Sequence, residues 1–236
     1  MRIGVTGEGP TDYGRYDFKT GNWEWGPVAA YIKAIANRKG KDIELNPIER
    51  EEVQRFKLQK RSMAGLKGKS IPARKFAMLI KREGYDAGIY YCDSDREVGA
   101  ANSDFKKAVR HYEELYEEIQ IGLEPVKAIP MIAMRMIECW LMSDKKALEI
   151  FFKTKFDEKV IPVQPEMMWG DKHNPNSNYP KHYFNRMVRE SNKRYKDYES
   201  NACDFYNIAN LADVEVLQKK CNVSFGRFYT DLIDML

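Results

Sequence analysis

Apolar runs of strand length alternate with amphipathic helical segments over the first 131 residues, and this alternation restricts the fold more than any other feature. It predicts strands at 1–6, 42–48, 87–92 and 126–131, and helices at 27–39, at 71–84 and from a cap at Ser103 onward. Strands that alternate with helices connect through right-handed crossovers. The sequence therefore predicts an α/β fold with a mainly parallel, four-stranded sheet flanked by helices.

The rest of the chain has mostly helical spacing. Apolar residues recur with a helical period at 133–143, 145–152, 183–192, 203–210 and 214–221. The segment 161–180 is rich in proline and asparagine and predicts a loop. We expect an α/β metal-binding core over 1–132 and a helical extension over 133–236 that packs on this core.

The composition predicts a cytoplasmic protein. Of the residues, 43% are apolar and 12% aromatic, which is enough for one large core. No run of about 18 apolar residues occurs, so no membrane span is expected, and the N-terminus begins as a strand rather than as a signal peptide. The four cysteines form no Cys-x-x-Cys pair and the three histidines lack zinc-ligand spacing, so we expect reduced thiols and no zinc.

Acidic residues follow two of the predicted strands. The first strand leads into Gly7-Glu8-Gly9, and the third ends at Asp93-Ser94-Asp95. Ligands of open parallel sheets bind at the carboxyl ends of the strands. Carboxylates gathered there repel one another unless a cation neutralises them, and hard oxygen ligands favour Mg²⁺ or Mn²⁺. Glu8, Asp93 and Asp95 are therefore predicted as metal ligands and catalytic residues.

Each acidic motif taken alone also fits a simpler role. A glutamate between two glycines is a common turn residue, and an isolated Asp-x-Asp occurs in many surface loops and helix caps. Their joint position after the first and third strands favours the metal site.

Ten basic residues and no acidic residue occur from Arg55 to Arg82. Such a stretch forms a positive surface that suits a phosphate backbone, although a solvated loop and helix face is an equally good interpretation. Lys67, Lys69, Arg74 and Lys75 are the predicted phosphate contacts.

Further motifs accompany the acidic ones over almost the whole chain. They are Glu8-Gly9-Pro10-Thr11-Asp12, Asp93-Ser94-Asp95, the segment 137–144, Tyr179-Pro180-Lys181, Ser224-Phe225 and Arg227-Phe228. Together with the order of strands and helices, they resemble the Toprim fold of topoisomerases, bacterial primases and nucleases related to overcoming-lysogenization-defect proteins. The likeness is greatest to the Toprim-like domains of unknown function numbered 4276.

This resemblance implies a Toprim-like, Rossmann-like fold and metal-assisted cleavage of phosphodiester bonds, with one or two divalent ions that activate a water. It also implies nucleic acid as substrate, chiefly DNA, and a role in phage defence with an ATPase partner. Two features depart from the better-known relatives. The chain has no Walker-type phosphate loop, and none of its fourteen tyrosines stands out as a topoisomerase nucleophile.

Several other side chains have two competing interpretations. Glu138 lies in an apolar run and is expected to be catalytic, with a structural ion pair to Arg135 or another basic residue as the alternative. Arg96 and Lys181 are predicted substrate contacts, and surface exposure or ion pairing is their simpler role. Trp23 and Trp25 either pack or stack on bases, whereas Trp140 is expected in the core.

Three functions follow from these residues. The first is a Mg²⁺-dependent nuclease or nicking enzyme. The second is a non-catalytic nucleic-acid- or nucleotide-binding subunit of an ATPase complex. The third is a haloacid-dehalogenase-like phosphotransferase with Asp93 as nucleophile and Asp95 as acid. The third leaves Glu8 without a role.

Overall fold

The protein has the predicted α/β fold, with a Rossmann-like arrangement. The computed structural model describes residues 1–94 and 104–236. Within these ranges four strands form a parallel sheet in the order β4-β1-β5-β6, and two more form an antiparallel hairpin. The strands are β1 (Arg2–Thr6), β2 (Gly14–Asp17), β3 (Asn22–Trp25), β4 (Glu44–Pro47), β5 (Ala87–Asp93) and β6 (Ala128–Ala133).

Helices cover both faces of the sheet. They are α1 (Pro27–Arg38), α2 (Arg50–Arg55), α3 (Ser70–Arg82), α4 (Phe105–Leu123), α5 (Ile137–Leu141), α6 (Lys145–Phe152), α7 (Pro180–Ser191), α8 (Ala202–Leu211), α9 (Val214–Lys220) and α10 (Phe225–Met235). Side chains alternate between the two faces along each strand. Tyr91 of β5 packs with α1 and the C-terminal helices, whereas its neighbours Tyr90 and Cys92 pack with α3 and α4.

The helical extension shares its core with the first part of the chain. The ring of Tyr31 in α1 makes edge contacts with Trp140, at 5.7 Å between centroids, and with Phe225, at 5.5 Å. Trp140 is fully buried, as predicted. Its indole nitrogen donates to the Ser224 hydroxyl at 2.9 Å, which fixes α5 against the start of α10.

The sequence predicted neither the hairpin nor the exact bounds of two helices. The segment that carries Trp23 and Trp25 is a strand of the hairpin, and Asp17 accepts from the Lys19 amide in the turn that joins the two strands. The helix predicted at 133–143 is confined to Ile137–Leu141, because β6 continues to Ala133. Asp104 caps α4 by accepting from the amides of the first helical turn, whereas the predicted cap, Ser103, lies outside the described residues.

None of the helices in 1–94 and 104–236 is long and apolar enough to cross a membrane.

Candidate metal centre

The turn after β1 lies beside the end of β5. Thr6 is registered with Tyr90 in the parallel sheet, so both strands end at the same edge. Gly9 has a positive φ of 80°, and the Asp12 amide donates back to its carbonyl at 3.2 Å. This turn places Asp12 next to the last residues of β5.

The Tyr91 hydroxyl joins two carboxylates. It is 2.6 Å from Oδ1 of Asp93 and 3.2 Å from Oδ2 of Asp12. A hydroxyl can donate only one proton, and the shorter contact indicates that Tyr91 donates it to Asp93. The contact between Tyr91 and Asp12 is then favourable when the Asp12 carboxyl is protonated and donates to the hydroxyl oxygen. Burial, together with the charges of Asp12, Asp93 and Glu138, raises the pKa of Tyr91 well above its ordinary value, so the hydroxyl stays protonated at neutral pH.

The carboxyl of Asp12 has a raised pKa in this group. Burial raises its pKa to about 7, while the hydrogen bond from Tyr91 and the charge of Lys181 act in the opposite direction. Lys181 is the second residue of α7, so the helical extension contributes a cation to the cluster formed by the strand ends. The contact of Lys181 with substrate stays a prediction.

Glu138 is a third carboxylate near Tyr91. It lies in the first turn of α5 with 2% of its surface exposed, and its charge contributes to the raised pKa of Tyr91. Arg135 is also buried, and its amide donates to the Ser94 hydroxyl at 3.2 Å, which joins the end of β5 to the β6–α5 connection. The catalytic role of Glu138 stays a prediction.

Glu8 belongs to a different group of residues, on the side of the sheet that carries Tyr90. Its carboxylate is bound by the Lys69 ammonium, and its Oε1 atom lies 3.8 Å from Nη2 of Arg50. With Gly68 and Tyr90, these side chains line a cavity of about 390 Å³. The structure thus brings Asp93 together with Asp12, and it pairs Glu8 with cations.

The paired carboxylates are oxygen ligands of the kind that Mg²⁺ takes, and metal binding at this site stays a prediction. One oxygen of Asp12 and one of Asp93 both contact the Tyr91 hydroxyl. The distance between these two oxygens therefore cannot exceed the sum of the 3.2 Å and 2.6 Å contacts. Mg²⁺ usually takes one or two carboxylates and completes its shell with water and substrate phosphate. In the described part of the chain, no group of three or more His, Cys, Asp or Glu side chains is arranged to hold a metal. The predicted ligand Asp95 and the predicted substrate contact Arg96 lie outside the described residues.

Arg74 and Lys75, two of the predicted phosphate contacts, connect helices. The Arg74 guanidinium donates to the carbonyls of Ile121 and Gly122, both at 2.8 Å, and so ties α3 to α4. The Lys75 ammonium donates to the Gln54 carbonyl at 2.6 Å and ties α3 to α2. These contacts give both side chains a structural role.

Lys67 and Lys69, the other two predicted contacts, belong to the turn that begins α3. The Lys67 amide donates to the Ser70 hydroxyl at 2.9 Å, which fixes the backbone, while the Lys67 residue itself is exposed. Lys69 lines the cavity beside Glu8. Contact of either residue with a phosphate stays a prediction.

Sequence reasoning missed Asp12 and Tyr91. Asp12 ends the turn that contains Glu8, and nothing in the spacing of that turn favours it over Glu8. Tyr91 is one more apolar residue in a buried strand. Side chains two residues apart in a strand lie on the same face of the sheet, so the sequence could have predicted that Tyr91 lies beside Asp93.

A family model described as a domain of unknown function (DUF4276) matches residues 31–233. No curated protein and no solved structure matches the chain. The match confirms the resemblance to that family, and the relationship to Toprim proteins stays a prediction. The matched range includes Asp93, Glu138 and Lys181 and begins after the turn that carries Glu8 and Asp12.

Proposed function

The chain belongs to the DUF4276 family, and we propose that it is a Mg²⁺- or Mn²⁺-dependent phosphodiesterase that cuts or nicks nucleic acid. The observation that carries this proposal is the pair of carboxylates, Asp12 and Asp93, held by one tyrosine hydroxyl at the carboxyl edge of a parallel sheet. Ligands of open α/β sheets bind at this edge. Two close carboxylates, of which Asp12 is desolvated, repel each other, so a divalent cation is the ligand that they favour.

Asp12 and Asp93 would hold the ion, and Asp95 is the further ligand that the sequence predicts. When bound, a divalent ion polarises a phosphoryl oxygen and lowers the pKa of a water. Tyr91 donates to Asp93 and fixes its orientation. Lys181 offsets the negative charge at Asp12 as a phosphate approaches. Glu138 is our candidate for the residue that accepts a proton.

The substrate proposal uses the cations near Glu8. Lys69 and Arg50 line the neighbouring cavity, where they would contact phosphates on one side of the scissile bond. We further propose that the nucleic acid is DNA and that an ATPase partner supplies ATP hydrolysis, because the chain has no Walker-type phosphate loop. The protein would then act in the cytoplasm, in phage defence.

Calorimetric titration with Mn²⁺ and a plasmid-nicking assay test this proposal together. Wild-type protein, with its ATPase partner where one is required, should nick plasmid in Mg²⁺ or Mn²⁺ and should be inactive in EDTA or Ca²⁺. Asp93→Asn and Asp12→Asn should lose most of the Mn²⁺ affinity and of the nicking rate. Asp17→Asn, a surface substitution on the hairpin, is the matched control. Equal Mn²⁺ affinity in wild type and Asp93→Asn would refute the metal site.

The ion pairing of Glu8 favours a second candidate, a non-catalytic nucleic-acid- or nucleotide-binding subunit. Lys69 and Arg50 already neutralise Glu8, the first ligand predicted from the sequence. A binding subunit would bind DNA in EDTA with a strong salt dependence and would not cleave it in any divalent metal. The phosphotransferase alternative would instead be recognised by a phosphoryl group on Asp93.

A further inference from the structure

A larger cavity lies between the β2–β3 hairpin and α8. Its volume is about 660 Å³, within the range of roughly 300–1,000 Å³ that is typical of small-molecule sites. Trp23 and Trp25 contribute from the hairpin, and Ser200, Tyr206 and Asn207 contribute from α8 and the residues before it. The walls are therefore aromatic on both sides, and both sides also carry polar groups, with the paired Arg15 and Glu24 on the hairpin.

The aromatic walls are only partly covered by the protein. Trp23 and Trp25 are two residues apart on one face of β3, with ring centroids 5.9 Å apart. Both are half-buried and pack against the core with part of their surface, and Tyr206 behaves in the same way on α8. Each ring thus has surface left for a planar ligand.

Two polar groups of the residues that line this cavity lack a partner. The Ser200 hydroxyl oxygen and the Trp23 indole nitrogen are buried, and neither makes a hydrogen bond to any residue that the structure describes. A buried hydroxyl without a partner costs free energy, which a donor or acceptor on a ligand would recover. Asn207 is exposed on α8 and offers an amide at the same cavity.

The cavity adjoins the carboxylate cluster. Pro10 and Thr11, the residues just before Asp12, form part of its lining. Trp25 is fixed against the same turn by Gly26, where an added Cβ would lie only 2.2 Å from the Asp12 carbonyl oxygen. The backbone that carries Trp25 therefore packs directly against the backbone of Asp12.

We propose that this cavity binds one unpaired nucleobase, stacked on Trp25 and Tyr206 and hydrogen-bonded through Ser200 and Asn207. Aromatic side chains bind unpaired bases by stacking, and polar edges of the base find partners in the pocket wall. A base inside a duplex cannot enter without leaving its stack. The inference rests on the proposed function for its nucleic-acid ligand. A pocket for one unpaired base would make the protein selective for single-stranded or distorted nucleic acid.

Fluorescence anisotropy in EDTA tests the pocket apart from cleavage. The probes are a labelled single strand of roughly 12 nucleotides, its duplex, and an abasic sugar-phosphate strand of equal length, with mononucleotides as competitors. Wild type should prefer the base-containing single strand. Trp25→Ala should weaken its binding by about 5- to 100-fold, and Trp25→Phe should retain most of the affinity. Trp169→Ala, in a different part of the chain, is the control.

Asn207→Trp provides a second variant that fills the cavity from an exposed position and leaves the core unchanged. It should weaken binding as Trp25→Ala does, and each variant's melting temperature reports whether it is folded. Competition by mononucleotides at similar affinity would identify free nucleotides as a source of the base. Equal affinity for the base-containing and abasic strands, or wild-type affinity in Asn207→Trp, would overturn the pocket. If Trp25-dependent binding persists while plasmid nicking is absent, the pocket stands and the proposed catalytic function fails.

Discussion

Asp12 gives the sharpest test of the electrostatics of the site. Burial raises the pKa of its carboxyl from 3.8 to about 7 in the folded protein, whereas an aspartate in an unfolded chain titrates near 3.9. Between about pH 4 and pH 7 the folded state therefore binds more protons than the unfolded state. The contribution of Asp12 to the free energy of unfolding therefore falls as the pH rises through this window, and it levels off above about pH 7.

The structure also sets the magnitude. The difference between 3.8 and about 7 corresponds to roughly 4 kcal/mol at 1.36 kcal/mol per pH unit. Asp12 shares a hydroxyl with Asp93 and lies near Lys181, so part of this penalty is distributed over the cluster. Asp12→Asn removes the titrating group. We expect the variant to gain stability over wild type by roughly 1–3 kcal/mol between pH 5 and pH 8.

Urea unfolding in EDTA at pH 5, 6, 7 and 8 measures this difference. Asp17→Asn is the control because the Lys19 amide and Thr20 hydroxyl hold the pKa of Asp17 below its ordinary value. Asp17 stabilises the folded state at every pH above its unfolded pKa, and this stabilisation is lost only as the pH falls through its folded pKa. The free energy of unfolding of Asp17→Asn should therefore differ from that of wild type by a constant amount from pH 5 to pH 8. If Asp12→Asn also runs parallel to wild type, the reasoning is refuted.

Two further predictions concern the scaffold of the site, and urea unfolding measures both. Arg74→Met should lower the free energy of unfolding by about 1–3 kcal/mol, because two carbonyls of α4 lose their donor. The control Lys67→Met, at the surface, should change it by less than about 0.5 kcal/mol. Equal effects of the two substitutions would contradict the structural role of Arg74. Gly26→Ala should cost more than about 2 kcal/mol, because its Cβ would lie 2.2 Å from the Asp12 carbonyl oxygen. Gly226→Ala in α10, where the nearest atom is 3.6 Å away, should instead stabilise by roughly 0.4–1 kcal/mol, and destabilisation there would contradict the packing.

The two central strands of the sheet, β1 and β5, were predictable because buried parallel strands are mostly continuous apolar runs. The run 87–92 is bounded by aspartates and corresponds to β5 almost residue for residue. The hairpin was missed because its strands have only four residues each, although the alternation of polar and aromatic side chains in 22–25 is typical of a half-buried strand. The end of β6 was misjudged because Ala133 continues the strand and Arg135 then takes a positive φ of 68°, which composition does not reveal.

At the site, the sequence predicted the sheet edge but only part of the cluster. Asp93 follows a strand of clear pattern, so its position at the carboxyl edge could be derived. The turn 7–12 offers two carboxylates, and the conformation of this turn, which includes a left-handed Gly9, brings Asp12 to Tyr91. Lys181 and Glu138 come from the helical extension, so their approach to Tyr91 and Asp12 depends on tertiary packing that local periodicity does not encode.

Two ionic groups lie close together at this edge. On the Tyr91 side, the charges of Asp12, Asp93 and Glu138 act on one hydroxyl, and Lys181 lies near Asp12. On the Tyr90 side, the side chains of Lys69 and Arg50 pair with the carboxylate of Glu8. Burial is the main cause of the raised pKa of Cys92, and charges from both groups also act on this thiol, so the groups lie within electrostatic reach of one point. A divalent cation on the Tyr91 side and a phosphate on the Tyr90 side would satisfy both groups together, which is the charge pattern of a metal-bound phosphodiester.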